Sequence, residues 1–391
     1  MENNIFEIIK EEVEKIKEEI INWRRFFHQY PELGFEEYKT SEKIQSLLKE
    51  FGIPFEVKAK TGVVGFLKGK KSDITVGIRA DMDALPIQEE TGLPFSSKNP
   101  GIMHACGHDG HMAAALGVAK ILSGLKNKLK GNVKFIFQPC EEKFPGGALK
   151  MIEEGSIEDV NYLIGFHFFS FLPLYHIWIG KGAIMANTDE FKIIIRGKGG
   201  HASSPHLTND PICCASYFIT QIQTIISRKI DPFQPAVISV GKIKGGETFN
   251  VIPEIVEIEG TVRTLSDGVR MVVKEEMEKT LKNICSNFNC KYELNYRLYC
   301  PSLINDVSFS ERVKEISEKI IEKENIAEYH PILGGEDFAF FSRKIPSCYI
   351  FIGIGEECGP NHNSKFTINE NILPYATFYL SSLLFSILNG I

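Results

Sequence analysis

The sequence predicts an α/β domain with a mixed, mostly parallel sheet, interrupted by a ferredoxin-like α+β domain. Three observations carry this. Up to about Gly182, short β-branched runs alternate with helical patterns, the signature of strands crossing over through helices. From Asn187 the order changes to strand–helix–strand–strand–helix–strand, that of a small split βαβ unit. After Cys300-Pro301 the first pattern returns. A chain of 391 residues has room for such an arrangement, since one domain takes ~100–200 residues. The expected divisions are 1–186, 187–299 and 300–391.

Residues 1–25 place Ile and Val at helical spacing among Glu and Lys, as in an amphipathic surface helix, and show no leader with a small-residue cleavage site. Residues 74–79 (ITVGIR), 133–137 (VKFIF) and 162–166 (YLIGF) read as buried strands, and 112–125 as a helix. In the insertion, 190–196 (EFKIIIR) is an alternating strand followed by a glycine-rich turn. A helix over 211–229, strands over 236–240 and 255–263, and a charged helix over 267–288 follow. A charged helix over 309–323 and a buried strand over 348–353 return to the first pattern. Residues 371–391 lack charge over about the length of a membrane span, but contain Pro374, Thr377 and several serines. A buried final helix packed on a sheet is the expectation.

Lys and Arg number 44 against 50 Asp and Glu, a formal charge of −6. This balance lacks the basic face of nucleic-acid binders, and no membrane partner is expected. Nine cysteines without regular spacing or a C-x-x-C pair argue against a disulfide framework and for reduced thiols in a cytoplasmic protein.

Groups able to bind metal follow the carboxyl ends of the predicted strands. They are Asp81 and Asp83 after 74–79, Glu141-Glu142 after 133–137, His167 after 162–166, and His362 beyond 348–353. Open α/β sheets bind ligands beyond those ends, so these groups can converge with the ligand-dense run HACGHDGH (104–111). Singly, a strand-end His is more often structural and a Glu pair more often a solvated face. Four segments with His, Cys and Glu at equivalent ends suit Zn²⁺ or a neighbouring first-row metal. Two carboxylates leaving one strand let one bind metal while the other moves a proton.

These residues lie in a series of motifs: ADMDALP (80–86), HACGHDGH (104–111), QPCEE (138–142), GFHF (165–168), GKGGHASSPH (197–206), FNVIP (249–253), GTVRT (260–264), GGEDF (334–338) and PNHN (360–363). In these the chain resembles the M20 metallopeptidase superfamily, in its amidohydrolase branch of N-acyl-amino-acid, hippurate and indoleacetyl-amino-acid hydrolases. The resemblance implies two divalent ions (Zn, Mn, Co or Ni) bound by Cys106, His108, Glu142, His167 and His362, with the Cys106 thiolate as bridge. It implies Glu141 as general base and acid, and Asp83 as the residue that orients a ligand. His201 would stabilise the oxyanion, reaching the partner subunit's site in dimeric members. Asn250 and Arg263 would hold substrate, Arg263 by its carboxylate. His104, Asp109 and His111 are expected to cap the helix or support ligands. Cys140 departs from the small apolar residue usual before the Glu pair, and is expected to change packing and raise oxidation sensitivity.

The implied activity is metal-dependent cleavage of N-acyl-L-amino acids to a carboxylic acid and an amino acid. The insertion would act as lid and dimerisation domain of a homo-oligomer, a dimer or tetramer. A dipeptidase or carboxypeptidase of the same superfamily is the alternative. A cysteine hydrolase using Cys106 would leave Glu142, His167 and His362 unexplained. A non-catalytic binding protein would leave Glu141 without a purpose.

Overall fold

The computed structural model describes residues 2–70 and 74–391; Met1, where the expected first helix begins, lies outside them. Two helices open the chain, α1 (Glu2–Gln29) and α2 (Tyr38–Glu50). Strands β1 (Phe55–Lys58), β2 (Gly62–Leu67) and β3 (Thr75–Asp81) lead to α3 (His108–Gly124) and β4 (Asn132–Gln138). Next come α4 (Gly147–Glu153), β5 (Tyr162–Phe169) and the short β6 (Ile177–Trp178). The second stretch holds β7 (Asn187–Arg196), α5 (Pro211–Lys229), β8 (Ala236–Gly245), β9 (Ile255–Thr264), α6 (Asp267–Asn287) and β10 (Lys291–Cys300). The chain finishes with α7 (Val307–Ile320), β11 (Ser347–Gly353) and α8 (Ile372–Asn389).

By contacts the chain separates into two units, one of Met1–Gly182, Ile304–His330 and Asp337–Ile391, the other of Ala183–Leu303 and Pro331–Glu336. The first unit carries a seven-stranded sheet in the order β1-β2-β4-β3-β5-β11-β6. Its four central strands, β4, β3, β5 and β11, run parallel, and the edges are antiparallel. This is the expected mixed, mostly parallel centre. β3 and β11 are buried along their whole length, as parallel strands covered on both faces must be.

The helical layer rests on small and branched residues. In α1, Ile5, Ile9, Val13, Ile16 and Ile20 form one buried stripe. α8 packs against α1, α3 and α7. By length and composition it could cross a membrane, yet 78% of it is buried within the protein. It crosses α3 closely at Gly117, where a Cβ would lie 2.7 Å from Thr377 Oγ1. That closeness explains a glycine in the middle of a helix, which otherwise costs about 1 kcal/mol.

The second unit has a four-stranded antiparallel sheet in the order β8-β9-β7-β10, with α5 and α6 on one face. Alternation along β7 buries Phe191, Ile193 and Ile195 against the helices and turns Glu190, Lys192 and Arg196 outward. One charge pair lies inside. Asp189 takes the Arg270 Nε–H at 2.9 and 3.0 Å and the Tyr296 hydroxyl at 3.0 Å, which ties α6 to the sheet.

Candidate metal centre

The strand order sets the site. β4 lies on one side of β3 and β5 on the other, so the chain changes direction at β3 and opens a crevice beyond the carboxyl ends. Asp81 ends β3 and Asp83 follows it. Gln138 ends β4 ahead of Glu141 and Glu142, and His167 lies near the end of β5. α3 begins at His108, after Gly107 in the left-handed conformation at φ 87°. The loop after β11 brings His362, itself left-handed at φ 66°, with its N–H on the Ala105 carbonyl at 2.7 Å. Non-glycine residues hold such a conformation uncommonly, histidine more readily than most.

All five proposed ligands meet. Cys106, His108 and His167 present ligand atoms within 4.8 Å of one another, as do Cys106, Glu142 and His362. Cys106 Sγ is 3.3 Å from His167 Nε2, and Glu142 Oε1 is 3.2 Å from His362 Nε2. Backbone carbonyls set the histidine tautomers. His108 Nδ1–H donates to Asp83 O at 2.8 Å, and His167 Nδ1–H to Phe168 O at 2.9 Å. Each ring therefore directs its Nε2 into the cluster, as a metal-binding histidine does. His108 Nε2 is buried and has no hydrogen-bond partner.

Asp83 acts through the backbone. Its two oxygens accept the N–H groups of Glu141 at 2.9 Å and Glu142 at 3.0 Å, so one carboxylate orients the whole Glu pair. Glu37 does the same one residue earlier, taking the Cys140 N–H at 2.9 Å. Cys140 is left-handed, at φ 52°, and its Sγ lies where a Cβ on Gly34 would come within 2.6 Å. Burial, with the charges of Asp83 and Glu37, pushes this thiol up to about 12. It remains protonated and enclosed, which corrects the expected oxidation sensitivity, because reactivity follows the thiolate.

Burial also raises Glu37 to about 7, over the opposing Thr61 hydrogen bond and with help from the Asp83 charge. The folded state then binds this proton more tightly than the unfolded chain. The contribution is complete below the ordinary carboxylate range and is lost as pH rises towards 7. Glu37→Gln is expected to remove that slope, worth roughly 3 kcal/mol at most. Urea denaturation of metal-free protein at pH 5 and 8.5 checks this; parallel profiles for the two proteins would refute it.

Comparison with known proteins places this geometry. The model of Peptidase family M20/M25/M40 matches residues 77–384. The chain belongs to this family. Thermostable carboxypeptidase 1 of Saccharolobus solfataricus is 41% identical over 379 residues, 95% of each chain. N-acetylcysteine deacetylase of Bacillus subtilis is 40% identical over 376 residues, 95% of this chain and 97% of that one. A solved structure, the Bacillus subtilis YXEP protein, a dinuclear metal binding peptidase from M20 family, has a TM-score of 0.86 at 36% identity. It covers 97% of this chain and 100% of that one.

The electrostatics of this M20 site fit divalent metal. Burial works against a charged His108, yet Asp81, Asp83 and Glu142 overcome it and lift the ring to about 10. Such a surplus of negative charge asks for a cation. Cys106 is pushed well above the ordinary thiol range by burial and then by Glu142 and Glu141. On balance the protein alone keeps this sulfur a thiol, whereas a coordinated metal ionises a thiol outright. The same surroundings disfavour Cys106 as a free nucleophile, which needs a lowered pKa.

The other residues of the HACGHDGH run have structural duties. His111 Nδ1–H donates to Asp81 at 2.6 Å and its Nε2 accepts the Phe168 N–H at 2.9 Å, so no lone pair is left for a metal. Asp109 does not cap α3; it is fully buried and binds Arg24 and His28, each at 2.8 Å. His104 makes no hydrogen bond through either ring nitrogen, and burial lowers it to about 3. Sequence reasoning missed Arg79, Gln138 and Asp337, which interlock behind the Glu pair. An arginine inside the apolar strand ITVGIR was the available signal, since a buried charge demands partners.

In the second unit His201 and Asn250 come together, and Arg263 stands apart on the sheet. The two-residue strands Gly200–His201 and Val251–Ile252 pair, and Asn250 O takes the Ala202 N–H at 3.0 Å. His201 Nδ1 accepts from Ser203 N at 3.2 Å, which leaves the proton on its exposed Nε2. Arg263 lies on the sheet face away from the helices. It lines a groove of about 520 Å³ with Glu190, Thr261 and Arg297.

Proposed function

We propose that this M20 protein is a metal-dependent amidohydrolase that releases the amino acid from N-acyl-L-amino acids. The observation that carries the reading is the division of labour at the Glu pair. Glu142 groups with Cys106 and His362, both carboxylates lie within 4.8 Å of His108, and Glu141 Oε1 faces the Asp337 N–H at 3.4 Å. In this reading Cys106, His108, Glu142, His167 and His362 hold two divalent ions. When bound, these supply Lewis-acid polarisation of the amide carbonyl and a lowered pKa for water.

Glu141 then takes a proton from the attacking water and delivers it to the departing amide nitrogen. By the family resemblance His201 would offer its Nε2–H to the oxyanion, reaching a partner subunit's site in a dimer, and Asn250 and Arg263 would hold the amino-acid part, the guanidinium pairing with its free carboxylate. Stacked rings run on from His167 through Phe169, Phe171 and Tyr329, at 4.3, 4.8 and 4.9 Å between successive centroids, and suit an apolar acyl group. Assembly as a dimer or tetramer belongs to the same proposal.

A relative named as a carboxypeptidase keeps a second reading open, and one experiment separates the two. Acetyl-, benzoyl- and indoleacetyl-amino acids are assayed beside dipeptides and longer peptides with Zn, Mn, Co and Ni. Faster turnover of acyl-amino acids is expected, with loss on chelation and recovery with added metal. Preference for peptides would overturn the acylase reading, and activity indifferent to chelation would overturn the metal chemistry.

A further inference from the structure

We infer that Asp337 is a positioning residue for Glu141, through the loop of residues 138–148 that carries the Glu pair. The inference rests on the proton-transfer role proposed above for Glu141. Asp337 is 6% exposed and lies far from this loop in sequence. Its carboxylate nevertheless grips both loop ends. At the entry both oxygens accept Gln138 Nε2–H at 2.8 Å, and at the exit Oδ2 accepts the Ala148 N–H at 3.1 Å. Between them, the Asp337 backbone N–H points at Glu141 Oε1, 3.4 Å away. One residue thus closes the loop at its base and touches the carboxylate that it presents.

The grip is itself anchored. Arg79 in β3 donates to Asp337 Oδ1 at 3.0 Å, to Gln138 Oε1 at 2.8 Å and to Asp81 Oδ2 at 2.6 Å. Asp81 in turn holds His111, which receives the N–H of Phe168 beside His167. The guanidinium is fully buried and neutralises carboxylates that could not stay charged there alone. The loop backbone has been shaped to the contact as well. Gly146 sits at φ 83°, and a Cβ there would lie 2.3 Å from Asp337 Oδ2, so only glycine lets the chain pass.

A proton carrier displaced by about 1 Å costs on the order of 10²-fold in rate. Asp337→Ala is therefore expected to lower kcat about 10- to 100-fold with KM within about twofold. Metal content per chain should be unchanged. Amide hydrogen exchange should rise in the peptide spanning residues 138–148 and stay at the wild-type level in β3 and α3. Asp337→Asn keeps one acceptor oxygen and should recover part of kcat. Gly146→Ala, which pushes on the same carboxylate from the loop side, should reproduce the Asp337→Ala pattern if that variant folds poorly. Unchanged exchange in the loop, or a fall in kcat fully matched by lost metal or by exchange throughout the fold, would overturn the positioning role. The exchange measurement needs no turnover, so it separates this inference from the role of Glu141, which the Glu141→Gln variant decides.

Discussion

Replacing Glu141 with Gln is expected to lower kcat by about 10²- to 10⁴-fold, the range that general acid–base catalysis supplies. Metal content and folding stability should stay at the wild-type level. The backbone explains why so small a change should be so costly and so clean. Asp83 holds the Glu141 and Glu142 N–H groups in one carboxylate, so the substitution leaves the loop and the Glu142 side chain where they are. Gln also keeps an oxygen for the Asp337 N–H. What it loses is the ability to accept a proton. Glu142→Gln should differ in kind, since Glu142 lies 3.2 Å from His362 and its loss should lower metal content first. Single-turnover kinetics with metal analysis of both variants tests the pair. Turnover retained in Glu141→Gln would place proton transfer elsewhere.

Asp109→Ala is expected to destabilise the first unit by roughly 3–5 kcal/mol, the usual cost of removing one partner from a buried ion pair. Asp109 is 0% exposed and Arg24 1%. Arg24 reaches Glu370 at 3.2 Å, and His28 bridges Asp109 and Glu89. Burial would raise the Asp109 carboxyl, but Arg24 and then His28 outweigh it and hold it far below the ordinary range. Burial likewise opposes ionisation of Glu89, yet the His28 hydrogen bond and the Ser97 N–H bring it down to about 2. His28 is pulled down by burial and raised, on balance, by hydrogen bonds to Asp109 and Glu89.

The signs then separate in pH. The carboxylates contribute above the ordinary range of about pH 4 and lose that contribution as acid protonates them. His28 contributes fully below its ordinary pKa of about 6.5 and loses its share as pH rises through its raised value. Denaturant titrations from pH 3 to 9 should show wild-type stability falling towards acid, and Asp109→Ala falling less steeply there, by the share that Asp109 contributed. The double variant Arg24→Met with Asp109→Ala should recover part of the loss, because the unpaired guanidinium is gone. A single-variant loss below about 1 kcal/mol would show that solvent reaches the cluster.

Some of the site was legible because it is written in strand ends. Asp83, Glu141, Glu142 and His167 follow buried apolar runs, and the sheet rule places such residues in one crevice. Strand β7 of the second unit was legible because it alternates, whereas the order β8-β9-β7-β10 depends on pairing between distant strands. Arg79, Gln138 and Asp337 were not. Their meaning depends on partners from distant parts of the chain, and periodicity reports only which face is buried. Asp109 and His111 lay in view within the densest motif, yet their neighbours in space settled their roles. Arg24 and His28 claim one, and Asp81 and Phe168 the other.

The sequence by itself therefore determined the family, the mixed sheet and the chemical types gathered at its carboxyl ends, because local pattern and motif order suffice for these. Only the tertiary structure decided which histidines direct Nε2 into the cluster, which acids are spent on burying charge, and what holds the Glu pair in place. A buried polar atom acquires its function from whatever satisfies it, and that partner lies across the fold.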